Sequence, residues 1–327
     1  MSMYQALWVT ETPQFEQNII ERSLDDLPEG EVLIQVYYSS LNYKDALSAT
    51  GNRGVTRKFP HTPGIDAAGV VAHSTDADFV AGQEVIVTGY DLGMNTAGGL
   101  AQYIRVPASW VVKRPSGLSL REAMMLGTAG LTAALCVDKL LHAGVAPQSG
   151  PVLVTGATGG VGSIAVMLLA KLGFQVTAAT GKAEQAGFLR QLGAVDVIAR
   201  AELLEGLDKP LLKPKWAGVG DTVGGEMLFN TLKAVQHSGS VACCGLTAGV
   251  NFQGSVLPFI LRGVNLLGVD SVELPLLEKA AMWNKLAADW KLDLESLVTE
   301  ISLLEVPAAI QAMLANQQVG RTLVRID

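Results

Sequence analysis

Cysteine is nearly missing from this chain. Only Cys136, Cys243 and Cys244 occur in 327 residues, an odd count with two adjacent members that supports neither a disulfide framework nor paired zinc knuckles. A reducing cytoplasm is the compartment this favours. Histidine is equally scarce, and His61, His73, His142 and His237 form no metal-ligand spacing. Positive charge is in deficit, with 24 Lys and Arg against 31 Asp and Glu. That balance argues against nucleic acid or an anionic membrane as a general partner, since both need a basic face that releases counterions. The longest uncharged apolar stretch, Ala123–Val137, contains Gly127 and Gly130 and falls short of the ~20 residues that span a bilayer. Residues 1–11 carry neither the basic leader nor the apolar core of a signal peptide.

What is present is an ordered globular composition, 49% hydrophobic and 17% charged, in a chain long enough for about two domains. The first third offers short strand-like runs at 6–9, 32–38, 69–73, 84–88 and 101–106, separated by Gly and Pro turns. Near Leu120 the pattern turns helical. From Val152 onward apolar strands alternate with helical segments through 152–155, 175–179, 195–198, 219–223, 240–244 and 264–269, the order a parallel doubly wound α/β sheet requires. Downstream, 276–290 and 306–316 read as helices and 322–326 as a last strand. No repeat of fixed period and no low-complexity tract interrupts this order.

The strongest local signal is the strand 152–155 running into Gly159, Gly160 and Gly162 and then a long helix. Backbone at Gly159 and Gly160 can approach a pyrophosphate there, the helix N-terminus supplies the anion site, and Gly162 permits close helix packing. Ala157 stands at the first glycine position of the usual fingerprint, so the strand–turn–helix–strand context carries the reading. Dinucleotide sites that prefer NAD place an acid at the end of the second strand. This chain has Thr180, Gly181 and Lys182 instead, a hydroxyl and an ammonium that suit a 2′-phosphate, and Arg200 past the third strand adds a second cation. NADPH is the expected cofactor.

Several segments spanning nearly the full length resemble the medium-chain dehydrogenase/reductase family, and within it the YhdH/YhfP quinone oxidoreductase group that includes acryloyl-CoA reductases. They are Ser39–Leu47, Pro63–Gly69, the glycine turn, Gly127–Ala133, Asp221–Gly224, Pro258–Arg262, Gly268–Ser271 and Gly320–Val324. The resemblance implies a GroES-like, mostly-β catalytic domain over 1–122 and 272–327, with a Rossmann domain over 123–271. Zinc-dependent members carry a cysteine ligand where this chain has Asn42 and a Gly-His-Glu segment where it has Gly64, Ile65 and Asp66. No metal is therefore expected. Without a Lewis acid, hydride transfer to an activated carbon–carbon double bond is more plausible than alcohol oxidation.

The same resemblance implies that Tyr43 lies near the nicotinamide, that Thr158, Gly159, Gly160 and Val161 line the pyrophosphate, and that Leu246, Ile260, Ser271 and Arg321 contact cofactor. Asn42 and Tyr43 are the candidate hydrogen-bond donors to a substrate oxygen, with Tyr43 alternatively a packing wall for the nicotinamide. Asp45 reads as a helix cap. Arg57 and Lys58, with Arg53, offer positive charge for the phosphates of an acyl-CoA, the alternative being a solvated basic loop. Acryloyl-CoA is the leading substrate, a quinone or small enone its rival, and an NADPH-binding protein without turnover the alternative of another class. The apolar last Rossmann strand, 264–269, would leave an exposed edge if unpaired, so a homodimer is expected.

Overall fold

The computed structural model describes residues 3–326; Met1, Ser2 and Asp327, which the sequence reading places in the first domain, lie outside the described residues. Along the chain the strands and helices are β1 (Met3–Thr10), β2 (Glu16–Ser23), β3 (Val32–Leu41), α1 (Tyr43–Ala49), β4 (Asp66–Ser74), β5 (Glu84–Thr88), β6 (Tyr103–Val106) and β7 (Val111–Lys113). There follow α2 (Leu120–His142), β8 (Val152–Val154), α3 (Gly160–Lys171), β9 (Val176–Thr180), α4 (Ala186–Gln191), β10 (Asp196–Ala199), β11 (Trp216–Asp221) and α5 (Gly225–Leu232). The last are β12 (Val235–Cys243), α6 (Leu257–Arg262), β13 (Asn265–Gly268), α7 (Leu276–Ala287), β14 (Val298–Ser302), α8 (Val306–Leu314) and β15 (Arg321–Arg325). They divide into two units, one reaching to Thr128 and resuming at Ser271, the other Ala129–Asp270. The first crossing thus falls after Thr128 rather than at residue 122.

In the first unit a seven-stranded sheet runs β14-β15-β3-β4-β5-β7, with β6 also paired to β3. All its pairs are antiparallel except β14 with β15. Val32, Ile34, Val36, Val85, Val87 and Ile104 are buried from its strands, while Leu7 of β1 and Val306 and Ile310 of α8 close the same core. Removing such aliphatic side chains from water contributes about 1.5 to 3 kcal/mol each. β2 was missed by sequence reasoning because its residues are polar and only partly buried, so no apolar alternation marks it. It is held by eight registered pairs to β1.

The second unit is a six-stranded parallel sheet in the order β10-β9-β8-β11-β12-β13. Numbered from its own first strand this is 3-2-1-4-5-6, the doubly wound order, and the chain reverses direction across the sheet between β8 and β11. Ligands bind outside the carboxyl ends of the strands at such a switch point. Val152, Leu153 and Val154 are fully buried, as a central strand covered on both faces demands.

By length and hydropathy α2 could cross a membrane, yet 78% of its apolar window is buried within the protein. Its side chains serve the protein core instead. The helix is also broken at Gly127, whose φ of 55° lies in the left-handed region. A Cβ at Gly127 would collide with Ser40 Oγ, Asp66 Oδ2 and Arg321 Nη2, so only glycine lets the helix backbone approach these three polar groups.

Candidate active site

Two constellations emerge, one in each unit. In the second unit the turn between β8 and α3 forms as the glycines require. A Cβ at Gly162 would run into Gly156 O and come within 2.8 Å of Ala157 Cα, so its missing side chain lets α3 pack on the end of β8. The helix starts at Gly160 with Gly159 as its N-cap, leaving the first amides of a twelve-residue helix without intrahelical partners. Thr158 and Thr180 bring their hydroxyls to 3.2 Å, and the Thr180 hydroxyl also accepts from the Lys182 backbone N–H at 3.0 Å.

Arg200 completes this corner. A Cβ on Gly181 would meet Arg200 Cζ at 3.2 Å and Nε at 3.3 Å, so the guanidinium lies directly over the glycine. Thr180, Gly181, the Lys182 backbone and the Arg200 guanidinium are therefore neighbours. Lys182 is half-buried; burial pulls its pKa down and the nearby Glu184 raises it. A cradle of hydroxyl, backbone, ammonium and guanidinium fits a phosphate on an adenosine ribose. Leu246 and Ile260, of the same unit, are 53% and 68% exposed, and no described contact draws either toward this corner.

In the first unit Asp66, at the start of β4, is fully buried and accepts four hydrogen bonds from three residues. Ser40 Oγ donates at 2.6 Å, Asn42 Nδ2 at 2.7 Å, and Thr128 from both its hydroxyl at 2.6 Å and its backbone N–H at 2.9 Å. Asp45, third residue of α1, accepts from Asn42 N–H at 2.7 Å and from Ile65 N–H at 2.8 Å. It thus caps the helix and pins it to the strand entry, the role read from sequence. Arg321 is 2% exposed and donates to Met125 O, Leu41 O and Asn42 Oδ1, each at 3.2 Å. Its Nη2 has no hydrogen-bond partner among the described residues.

Asn42 is therefore enclosed. Its amide donates to Asp66, to Ser40 O at 3.2 Å and to Asp45 Oδ2 at 3.3 Å, while its oxygen accepts from Arg321. Both amide hydrogens are taken up by protein, which corrects the expectation that Asn42 donates to substrate. Tyr43 differs. It opens α1 with 41% of its surface exposed, and its hydroxyl makes no hydrogen bond among the described residues. Ser271 is 7% exposed. Arg57 and Lys58 are exposed, whereas Arg53 is bound to Glu11, donates to Arg57 O at 2.8 Å and stacks over Phe59. His61 is 5% exposed with Nε2 3.0 Å from Gly93 O, and burial holds its pKa down.

These groups do not fit zinc. At Asn42, Ile65 and Asp66 there is neither thiolate nor imidazole, the one carboxylate is saturated by four donors, and a guanidinium lies alongside. No cluster of three His, Cys, Asp or Glu side chains suited to a metal exists among the described residues. Sequence reasoning missed Ser40, Asp66 and Thr128 as a network. The available signal was a carboxylate at 66 in an otherwise small and apolar run, because a buried charge needs partners from elsewhere in the chain.

Burial, reinforced by the charge of Asp66, pushes the Asp45 carboxyl up to about 7, against three opposing hydrogen bonds. The native state therefore keeps a proton that the unfolded chain releases near pH 4, and Asp45 costs stability as pH rises through this interval. Asp45→Asn cannot titrate. Denaturant unfolding at pH 5 to 8 is expected to show the wild type losing about 1 kcal/mol per pH unit relative to the variant up to about pH 7 and levelling off above it. A difference independent of pH would contradict this assignment.

Residues 28–116 match the alcohol dehydrogenase GroES-like domain family and residues 160–288 the zinc-binding dehydrogenase family. The chain is 48% identical over 306 residues to YhfP of Bacillus subtilis (strain 168), a protein named among the quinone oxidoreductases, with 93% of each chain covered; a crystal structure of that protein has NAD bound. It is 43% identical to the acrylyl-CoA reductase AcuI of Ruegeria pomeroyi, covering 99% of this chain and 100% of that one. The crystal structure of the yhdH oxidoreductase from Salmonella enterica in complex with NADP superposes with a TM-score of 0.96 at 46% identity, covering 99% and 100% of the two chains. By sequence along nearly its whole length, and by the order of strands in both sheets, this chain belongs to the medium-chain dehydrogenase/reductase family, in its YhdH/YhfP group.

Proposed function

We propose that this chain is an NADPH-dependent, zinc-independent reductase of an activated carbon–carbon double bond, with acryloyl-CoA reduced to propanoyl-CoA as its reaction. The observation that carries the cofactor half is Arg200 lying over Gly181 beside Thr180 and Lys182. Two cations and a hydroxyl there are matched to a 2′-phosphate, which NAD lacks. Thr158, Gly159, Gly160 and Val161 hold the pyrophosphate on the α3 N-terminus. Leu246, Ile260, Ser271 and the unpaired Nη2 of Arg321 are further cofactor contacts in this reading. The substrate half of the proposal is supported by the acrylyl-CoA reductase name of a relative matched over its full length.

NADPH held there would supply a hydride for the β-carbon of the unsaturated thioester, with a solvent-derived proton completing the reduction at the α-carbon. The chain must then stabilise negative charge developing on the thioester carbonyl oxygen. Tyr43 is the donor we assign to that task, because its phenol is exposed and unengaged while the Asn42 amide is spent on Asp66, Ser40 and Asp45. Asn42 becomes a positioning residue: with Asp45 it fixes the start of α1 and hence the direction of Tyr43. Arg57 and Lys58 receive the phosphates of coenzyme A. Pairing of β13 across a twofold axis would make a homodimer, supported by an edge strand that leaves Leu266 37% exposed and by exposed Val256 and Leu261 in the segment that precedes it. Three unpaired cysteines accord with a cytoplasmic setting.

Three outcomes are expected. Lys182→Ala raises KM for NADPH about tenfold to a hundredfold and leaves KM for NADH unchanged, since one charge-assisted hydrogen bond of about 1.5 to 3 kcal/mol is lost with the phosphate alone; equal catalytic efficiency of the wild type with both cofactors would contradict it. Tyr43→Phe lowers kcat about a hundredfold with little change in KM for NADPH, the pattern of a lost donor to transition-state charge; an unchanged kcat would return Tyr43 to the role of packing wall. Finally, protein dialysed against a chelator is compared on acryloyl-CoA, crotonyl-CoA and a simple quinone. Turnover persists, acryloyl-CoA is preferred, and replacing Arg57 and Lys58 with Ala raises KM for the acyl-CoA only. Preference for the quinone, with no effect of the two substitutions, would select the quinone reading; no NADPH oxidation with any substrate would leave a nucleotide-binding protein without turnover.

A further inference from the structure

Asp221 is the last residue of β11 and is fully buried, and no step above uses it. Its Oδ1 accepts from the hydroxyl of Thr155, the first residue of the glycine turn, at 2.8 Å, and its Oδ2 accepts from the backbone N–H of Gly224 at 2.8 Å. Thr155 and Thr222 are joined reciprocally, Thr222 N–H donating to Thr155 Oγ1 at 3.0 Å and Thr222 Oγ1 to Thr155 O at 2.8 Å. The segment after β12 is drawn in as well. Cys244 N–H donates to Asp221 O at 3.0 Å and Ala248 N–H to Val223 O at 2.7 Å. Gly245 lies so close to Thr222 that a Cβ would overlap its carbonyl. Asp221 thus ties together the turns that flank the switch point: its carboxylate joins the turn leaving β8 to the turn leaving β11, and its backbone carbonyl holds the segment leaving β12; β11 and β12 lie on the nicotinamide side when the adenosine phosphate lies at the ends of β9 and β10.

We infer that Asp221 is a positioning residue for the nicotinamide half of the cofactor: it sets the 221–225 and 244–249 turns against the glycine turn without touching the adenosine end. The inference rests on the nucleotide reading of that turn. An amide at this position keeps only one acceptor oxygen: with that oxygen on the Gly224 N–H, its NH2 faces the Thr155 hydroxyl, which must then turn its hydrogen away and give up the bond it donates here.

The test is calorimetric titration of the full chain with NADPH and with adenosine 2′,5′-bisphosphate, which carries the 2′-phosphate but no nicotinamide. The wild type binds both. Asp221→Asn binds the bisphosphate with unchanged Kd and NADPH about tenfold more weakly, the equivalent of about 1.4 kcal/mol. Thr155→Val removes the same hydrogen bond from its other end and gives the same split, which covers the case in which Asp221→Asn fails to fold. Parallel weakening of both ligands, or none, in whichever variant folds would overturn the positioning role. Failure of the wild type to bind either ligand would instead overturn the nucleotide reading beneath it.

Discussion

The first unit is organised around a buried charge that has to be satisfied. Asp66 sits at zero exposure, where an ionised carboxylate is costly unless hydrogen-bonded and balanced. Its partners come from β3, from the residue ahead of α1, and from the point where α2 breaks. Arg321, reaching in from β15, adds the compensating cation; burial lowers its pKa, and both Asp66 and Asp45 raise it. Breaking such a set by removing one member commonly costs about 3 to 5 kcal/mol. The same bonds that satisfy Asp66 immobilise Asn42, and Asn42 immobilises the helix that begins with Tyr43. Position in the proposed site is thus a consequence of charge burial in the core.

This arrangement explains how a dehydrogenase framework can be turned from alcohols to activated double bonds. Where zinc-dependent chemistry needs open ligand positions around a metal, this chain has a network in which the Asp66 carboxylate and the Asn42 amide are spent on protein partners. No Lewis acid can assemble there without displacing a guanidinium. Under the proposed function, what is left for catalysis is one exposed phenol, a cofactor platform and basic charge for a phosphorylated substrate. That inventory suffices when the substrate supplies its own electron sink, as an unsaturated thioester does.

The alternation of apolar strands and helices after Val152 was readable because parallel strands covered on both faces leave continuous apolar runs, and the doubly wound order followed from that alternation. The glycine turn was legible for a local reason: at Gly156 and Gly162 a Cβ would collide with a neighbour. β2 and β14 were not legible, their surfaces being largely polar. At the site, Thr180, Lys182 and Arg200 could be picked out from their places after strands. The roles of Asn42 and Arg321 could not be, because sequence gives a side chain's chemistry but not which of its hydrogens are already taken. Strand β11 was expected to run to residue 223 and ends at Asp221, whose carboxylate folds back on Gly224 and forces the turn.

The most direct test of the account is isotopic. Chelator-treated protein is given acryloyl-CoA with NADPH carrying deuterium at C4 of the nicotinamide in normal water, and the propanoyl thioester is analysed by mass spectrometry and NMR. The account predicts one deuterium at the β-carbon and a solvent-derived proton at the α-carbon. Deuterium on the carbonyl carbon, or product formed only after zinc is restored, would contradict it.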